Sequence, residues 1–191
     1  MEEIEELEET KKKTSIFRII VEIIIYIALI LICIFVIPKY VVQRTIVDGQ
    51  SMMNTLHDED NLIVEKVSYR FSNPDRFDIV VFYPYGKEED PEDYYVKRII
   101  GLPGETIQII DSDIYINGEI LEENYGRVPI TSAGVAREPL TLGEDEFFVL
   151  GDNRGASEDS RDFGPVDKSD ISGQVVLRIY PFKRFGLMTN K

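Results

Sequence analysis

One cysteine, one histidine and no tryptophan occur in the 191 residues. The lone cysteine, Cys33, has no partner for an internal disulfide, so no cystine framework holds this fold. A zinc cluster of Cys and His is excluded too, because such sites take about four ligands. Basic residues are scarce: 21 Lys+Arg stand against 35 Asp+Glu, for a formal net charge of −14. That balance argues against nucleic acid as a partner, since its phosphates ask for a basic surface. With so little histidine, a serine-type hydrolase on this chain must find another base, unless His57 serves. What is present, 43% hydrophobic and 29% charged residues, reads as a globular chain rather than a disordered one.

The composition is uneven. Residues 1–15 open with six Glu and three Lys, and read as a solvated tail. Residues 16–38 follow as IFRIIVEIIIYIALILICIFVIP, whose uncharged centre, Ile23 to Ile37, is 15 residues long. Spanning a bilayer takes about 20 residues, which is reached by extending back through Ile19 and including Glu22. A carboxylate near the end of a span can reach the interface. A buried core helix would need more protein around it than this chain supplies. A cleaved leader would end in small residues, whereas Ile37-Pro38-Lys39-Tyr40 follows here. The segment therefore reads as a retained transmembrane anchor. Lys11, Lys12, Lys13 and Arg18 precede it and only Lys39 and Arg44 follow closely, which places the N-terminus in the cytoplasm and residues 39–191 outside the cell membrane.

Residues 39–191 carry 17 Lys+Arg and 28 Asp+Glu, and fit one mainly β domain, a barrel or sandwich. Strands are expected at Val41–Val47, Asn61–Val67, Asp78–Tyr83, Tyr94–Ile100, Thr106–Ile110, Asp113–Ile116, Phe147–Leu150 and Gln174–Tyr180. Residues 107–118 read as a hairpin with its tip at Asp111-Ser112-Asp113. Only Lys66–Phe71 hints at helix. Within a small insertion at 106–146, Glu122–Gly143 is poor in strand signal and reads as loop. Tyr180-Pro181-Phe182 and Phe185 read as core or a closing strand rather than as interfacial aromatics.

Three polar features stand out of place. Ser51 sits in a turn, VDGQSMMNTL; Lys97 sits mid-strand in YYVKRIIGLPGE; and GDNRGASEDSRDFGPV, residues 151–166, is dense in Asp, Arg and Ser. Taken singly these are a turn residue, a solvated lysine and a polar loop. Together they suggest chemistry, because a serine hydroxyl needs a neighbouring base and lysine is the known alternative to histidine. The lysine must be neutral to act. Its reference pKa of about 10.4 has to fall by about three units, which burial beside Tyr95, Val96, Ile99 and Ile100 would achieve. His57 is the rival base, but it lies in the acidic turn Leu56-His57-Asp58-Glu59-Asp60, where an exposed, charged imidazole is expected.

These segments resemble a bacterial type I signal peptidase, in the Gram-positive type of architecture. The resemblance is carried by the anchor, by Ser51-Met52, by Asp78-Ile79-Val80-Val81-Phe82, by Lys97 through Glu105, and by Gly151-Asp152-Asn153-Arg154 with Ser157, Asp159, Ser160 and Arg161. It implies a membrane-bound serine endopeptidase that removes signal peptides from secretory preproteins, cutting after small residues in an A-x-A pattern, with no metal or cofactor. By position, Ser51 would be the nucleophile and Lys97 the general base. Ser157 would bond and orient the amine, and Asp152–Arg98 and Asp159–Arg161 would support the walls. The Ser51 backbone N–H would serve the oxyanion; a hydroxyl used two residues earlier in some members is absent here, at Gly49. Asn54 stands where the family's nucleophile box has proline. The preprotein would add as a strand along Val41–Asp48 and Tyr94–Lys97. The alternatives are a catalytically silent, membrane-anchored relative that binds signal peptides, a soluble self-cleaving repressor of the same Ser–Lys type, and a purely structural module. The anchor and the acidic domain speak against the second, and the presence of both Ser51 and Lys97 against the first.

Overall fold

The structure is a computed structural model that describes residues 2–86, 94–126 and 128–188, with side chains from Phe17 onward. It divides into two units, Met1–Val41 and Val42–Lys191.

The first unit is helical: α1 (Glu2–Leu31), a π turn (Ile32–Val36) and α2 (Ile37–Tyr40). Helix does not stop at residue 38 but runs two residues past it. Pro38 has no N–H to donate, and a helix meets that defect most cheaply where the preceding turn is already widened. Phe17–Tyr40 is 24 residues long and apolar enough to cross a membrane; at 1.5 Å per residue it is about 36 Å long. Its apolar side chains point outward on every side, with Phe17, Ile24 and Phe35 at 67%, 58% and 65% exposure. A helix apolar all round needs a non-aqueous surrounding.

The second unit is mainly β. Its strands are β1 (Val42–Ile46), β2 (Asn61–Glu65), β3 (Ile79–Phe82), β4 (Tyr95–Gly101), β5 (Thr106–Ile110), β6 (Asp113–Ile116), β7 (Glu119–Ile120), β8 (Leu140–Thr141), β9 (Glu146–Leu150), β10 (Val166–Asp167), β11 (Ile171–Tyr180) and β12 (Gly186–Leu187). All pair antiparallel. The larger sheet runs β1-β2-β11-β3-β4-β9-β10 with β12 added to β11, and the smaller runs β7-β6-β5-β8.

β3 reads Ile-Val-Val-Phe and is buried throughout, as an apolar run covered on both faces must be. Ile79 and Val81 join Met52, Leu56, Leu62, Val64 and Val175 in one core. Val80 and Phe82 join Ile99, Phe147, Val149 and Val166 in another. A third core, with Ile107, Ile109, Ile114, Ile116 and Leu142, fills the smaller sheet. The β5–β6 hairpin has Ile110 opposite Asp113, so Asp111 and Ser112 form a two-residue loop with φ of 47° and 79°. Asn117-Gly118, with φ of 53° and 84°, makes the next such turn. Both are the left-handed pairs that match strand twist.

Several expectations are corrected. β11 starts three residues earlier than Gln174. Glu122–Gly143 is not all loop: it holds a 3₁₀ turn at Gly134–Arg137 and β8. The helical hint at Lys66–Phe71 is a single 3₁₀ turn, Ser68–Arg70. A one-turn helix, α3 (Ser160–Phe163), lies inside the segment read as a polar turn. Tyr180, Phe182 and Phe185 are not core; they are 51%, 81% and 60% exposed, and only Gly186–Leu187 closes on β11.

Candidate active site

Ser51 lies in the Val47–Asp60 loop between β1 and β2. Two apolar residues pull this loop inward: Met52 and Leu56, which are buried in the core. Backbone bonds from Thr55 and Leu56 to the Met52 carbonyl, 3.0 and 2.8 Å, wind the intervening residues into a turn. The loop is closed at its base by Val47 N–H to the Asp60 carbonyl, 2.9 Å, and Glu59 N–H to the Val47 carbonyl, 2.9 Å. Asn54 sits at φ 84°, a left-handed conformation asparagine tolerates and proline cannot enter.

Lys97 lies in the middle of β4, opposite Val80 of β3. Alternation puts Tyr95 and Ile99 on its side of the strand. The residue is 4% exposed, and its Nζ stands 4.9 Å from the centre of the Tyr95 ring. That Nζ is 2.8 Å from the Ser51 Oγ. Burial pushes the ammonium down to a pKa of about 8, against the pull of Asp159 and Glu158, whose negative charges favour the protonated form. Among the described residues no carboxylate lies within ion-pair distance of it.

The next residue, Arg98, is also buried. Its Nε donates to Asp152 Oδ1 at 2.9 Å and its Nη2 to Oδ2 at 2.7 Å, both inside the protein. The Thr55 hydroxyl donates to the same carboxylate at 2.5 Å, so this pair grips the Ser51 loop as well. Asp159 and Arg161 form a second fork, 2.7 and 2.9 Å. Asp159 also accepts the Gly151 N–H at 3.0 Å and caps α3.

The turn Gly151–Asn153 lies directly against the serine. Asn153 N–H donates to the Ser51 carbonyl at 2.9 Å, and its side-chain amide to the Gln50 carbonyl at 3.1 Å. A side chain at Gly151 would place its Cβ 2.5 Å from the Ser51 carbonyl oxygen and 2.1 Å from Ser157 Oγ, so glycine is required by close approach. Ser157 is thus near the site, but its hydroxyl donates to the Glu158 carbonyl, a long 3.5 Å contact, and not to the Lys97 amine. The Gly49 N–H is taken by Asp58 at 2.9 Å, whereas the Ser51 N–H has no acceptor among the described residues. His57 is half-buried rather than exposed, with Nδ1 enclosed and unpartnered among the described residues, and it does not line the cleft. Thr55 and Arg178, whose Nη1 reaches the Thr55 carbonyl at 2.9 Å, do not stand out in the sequence, and Asn153 stands out only as part of its box, with no contact to Ser51 implied. Their signal exists only once the loop is folded.

Ser51 and Lys97 open onto a cleft of about 500 Å³ between the end of β1 and the start of β4. It is lined by Ile46 through Met52, Tyr94 through Lys97, Ala156 and Glu158. β1 is the end strand of its sheet, and β4 pairs with β9 only from Arg98 onward. The cleft thus lies between the end strand of the larger sheet and the part of β4 that precedes its pairing with β9.

Residues 19–180 match the family model for signal peptidase, peptidase S26. The signal peptidase I of Leptolyngbya laminosa is 42% identical over 154 residues, covering 78% of this chain and 74% of that protein. The signal peptidase I of Bacillus licheniformis is 37% identical over 181 residues, covering 91% and 93%. A solved signal peptidase I from Enterococcus faecalis is 36% identical, with a TM-score of 0.44 over 55% of this chain and 97% of that one. The protein is a serine peptidase. More particularly, the chain belongs to the signal peptidase family, peptidase S26.

Proposed function

We propose that this chain cleaves signal peptides from secretory preproteins by a Ser51–Lys97 dyad. The observation that carries the reading is the 2.8 Å contact between the Lys97 amine and the Ser51 hydroxyl, in a setting that lowers the lysine to about 8. At pH 7 such a lysine is neutral in about a tenth of molecules, against about three in ten thousand at an ordinary pKa. The neutral amine takes the Ser51 proton as Oγ attacks the scissile carbonyl. The Ser51 N–H donates to the oxyanion. The resulting ammonium gives its proton to the leaving amine, leaving an acyl-serine that a water, deprotonated by the same lysine, hydrolyses.

The preprotein segment adds as an extended strand along Ile46–Gly49 and Tyr94–Val96, with small residues before the cut. Arg98–Asp152 and Asp159–Arg161 hold the walls and take no part in proton transfer. Phe17–Tyr40 crosses the cell membrane with residues 1–15 in the cytoplasm and the peptidase unit outside. Tethering both enzyme and substrate to one bilayer raises their effective concentration. No metal or cofactor enters the reaction.

The test is cleavage of a preprotein carrying an A-x-A site by detergent-solubilised chain. Ser51→Ala and Lys97→Ala are each expected to abolish it with the fold intact. Full activity in either overturns the dyad, and loss in His57→Ala alone transfers the base role to the imidazole.

A further inference from the structure

Tyr125 belongs to a stretch with no regular structure, yet its ring covers the buried Arg98. The guanidinium carbon stands 3.5 Å from the ring centre. The ring also meets Phe77 at 5.2 Å, whose carbonyl accepts from Arg98 Nη1 at 2.8 Å. Two residues earlier, Glu123 grips a second buried arginine: Arg154 Nη1 and Nη2 reach its carboxylate at 2.5 and 2.7 Å. Gly126 lies so close to Arg154 that a Cβ there would stand 2.7 Å from its Cζ. Residues 123–126 thus form a strap laid across both guanidinium groups.

The two arginines converge on one turn. Arg154 Nε donates to the Gly151 carbonyl at 3.0 Å, and Arg98 forks onto Asp152. That turn supports Ser51 directly, through Asn153 N–H on the Ser51 carbonyl and Asp152 on the Thr55 hydroxyl. Nothing fits between Gly151 and the Ser51 carbonyl, where even a methyl would collide, so a shift of the turn is passed on to the serine.

We infer that Tyr125 and Glu123 are positioning residues for the peptidase reaction, the strap Glu123–Gly126 setting the place of the Ser51 hydroxyl through Arg98, Arg154 and the Gly151–Asn153 turn. This rests on Ser51 being the nucleophile. A ring over the guanidinium keeps water from the fork and fixes its plane, and a hydroxyl is not needed for either task. Small misplacement of a nucleophile is expensive: about 1 Å can lower rate about a hundredfold. The strap contributes no residue to the cleft, so substrate binding is untouched. It does not contact Lys97, so the base titrates as before.

Steady-state kinetics of the full-length chain in detergent, on a peptide spanning a signal-peptide cleavage site, test this at a temperature where each variant is folded by circular dichroism. Tyr125→Ala is expected to lower kcat about tenfold or more, with KM within about twofold and the acidic limb of the pH profile unmoved. Tyr125→Phe is expected to keep wild-type kcat, and Glu123→Gln to fall between. Should Tyr125→Ala not fold, Tyr125→Leu and Glu123→Gln carry the comparison. Unchanged kcat in the folded variants, an equal loss in Tyr125→Phe, or a shifted acidic limb overturns the inference. A wild-type chain that cleaves nothing, or Ser51→Ala that still cleaves, overturns the nucleophile reading instead.

Discussion

Lys97 and Arg98 are neighbours on β4, both buried, at 4% and 2% exposure, and they meet burial in opposite ways. Adjacent strand residues face opposite sides of the sheet. Arg98 finds a carboxylate on its side, Asp152, which is itself wholly buried, and stays a paired cation. Lys97 finds a hydroxyl, Ser51, and is driven toward neutrality. One strand thus carries, one residue apart, a paired cation and the lysine proposed as the base.

Lys97 lowers stability at neutral pH. Its folded pKa of about 8 lies below its unfolded value of about 10.5, so below pH 8 the folded chain carries the full penalty of a buried ammonium. The penalty fades as pH rises from 8 to 10.5, because there the unfolded state binds more protons. Lys97→Met is expected to be more stable than wild type by about 3 kcal/mol at pH 7, and about equal to it above pH 10.5. Urea unfolding of both at pH 7 and pH 10.5 checks this.

Asp152→Asn strips a buried guanidinium of its counter-charge. A loss of about 3–5 kcal/mol is expected, with a milder loss in Asp152→Asn/Arg98→Met, because the double variant leaves no buried charge unpaired. Denaturant midpoints of the single and double variants measure the difference.

At Asn54 the loop needs φ 84°. Asn54→Gly is expected to hold stability within about 0.5 kcal/mol, while Asn54→Pro loses more than about 1 kcal/mol and most activity. Thermal unfolding and cleavage assays on the pair separate the two.

Gly151→Ala places a methyl against the Ser51 carbonyl and Ser157 Oγ. A fall in kcat of about a hundredfold is expected, since the serine must move, read in single-turnover cleavage.

Much of this was legible in the chain. The β runs show because Ile79–Phe82 and Ile107–Ile110 alternate or stay apolar over a strand's length. Ser51 and Lys97 show because a hydroxyl in a small-residue turn and a lysine in an apolar strand are each out of place, and the histidine count leaves few other bases. What escaped has no period to show. β7, β8, β10 and β12 are two residues each, and α3 is one turn held by the Asp159 cap rather than by an apolar stripe. Position in the box is all that links Ser157 to the amine, and the hydrogen bond its hydroxyl makes in the structure is a long one, 3.5 Å to the Glu158 carbonyl. Tyr125 reaches Arg98 from 27 positions away through loop geometry, which no local pattern encodes.

The most direct test of the Ser51–Lys97 dyad is kcat/KM for cleavage of an A-x-A peptide from pH 6 to 10. This quantity reports the free enzyme's base. A rise with a single apparent pKa of about 8, as burial of Lys97 requires, is expected. A rise centred near an ordinary histidine value of about 6.5, lost in His57→Ala and kept in Lys97→Met, would contradict it.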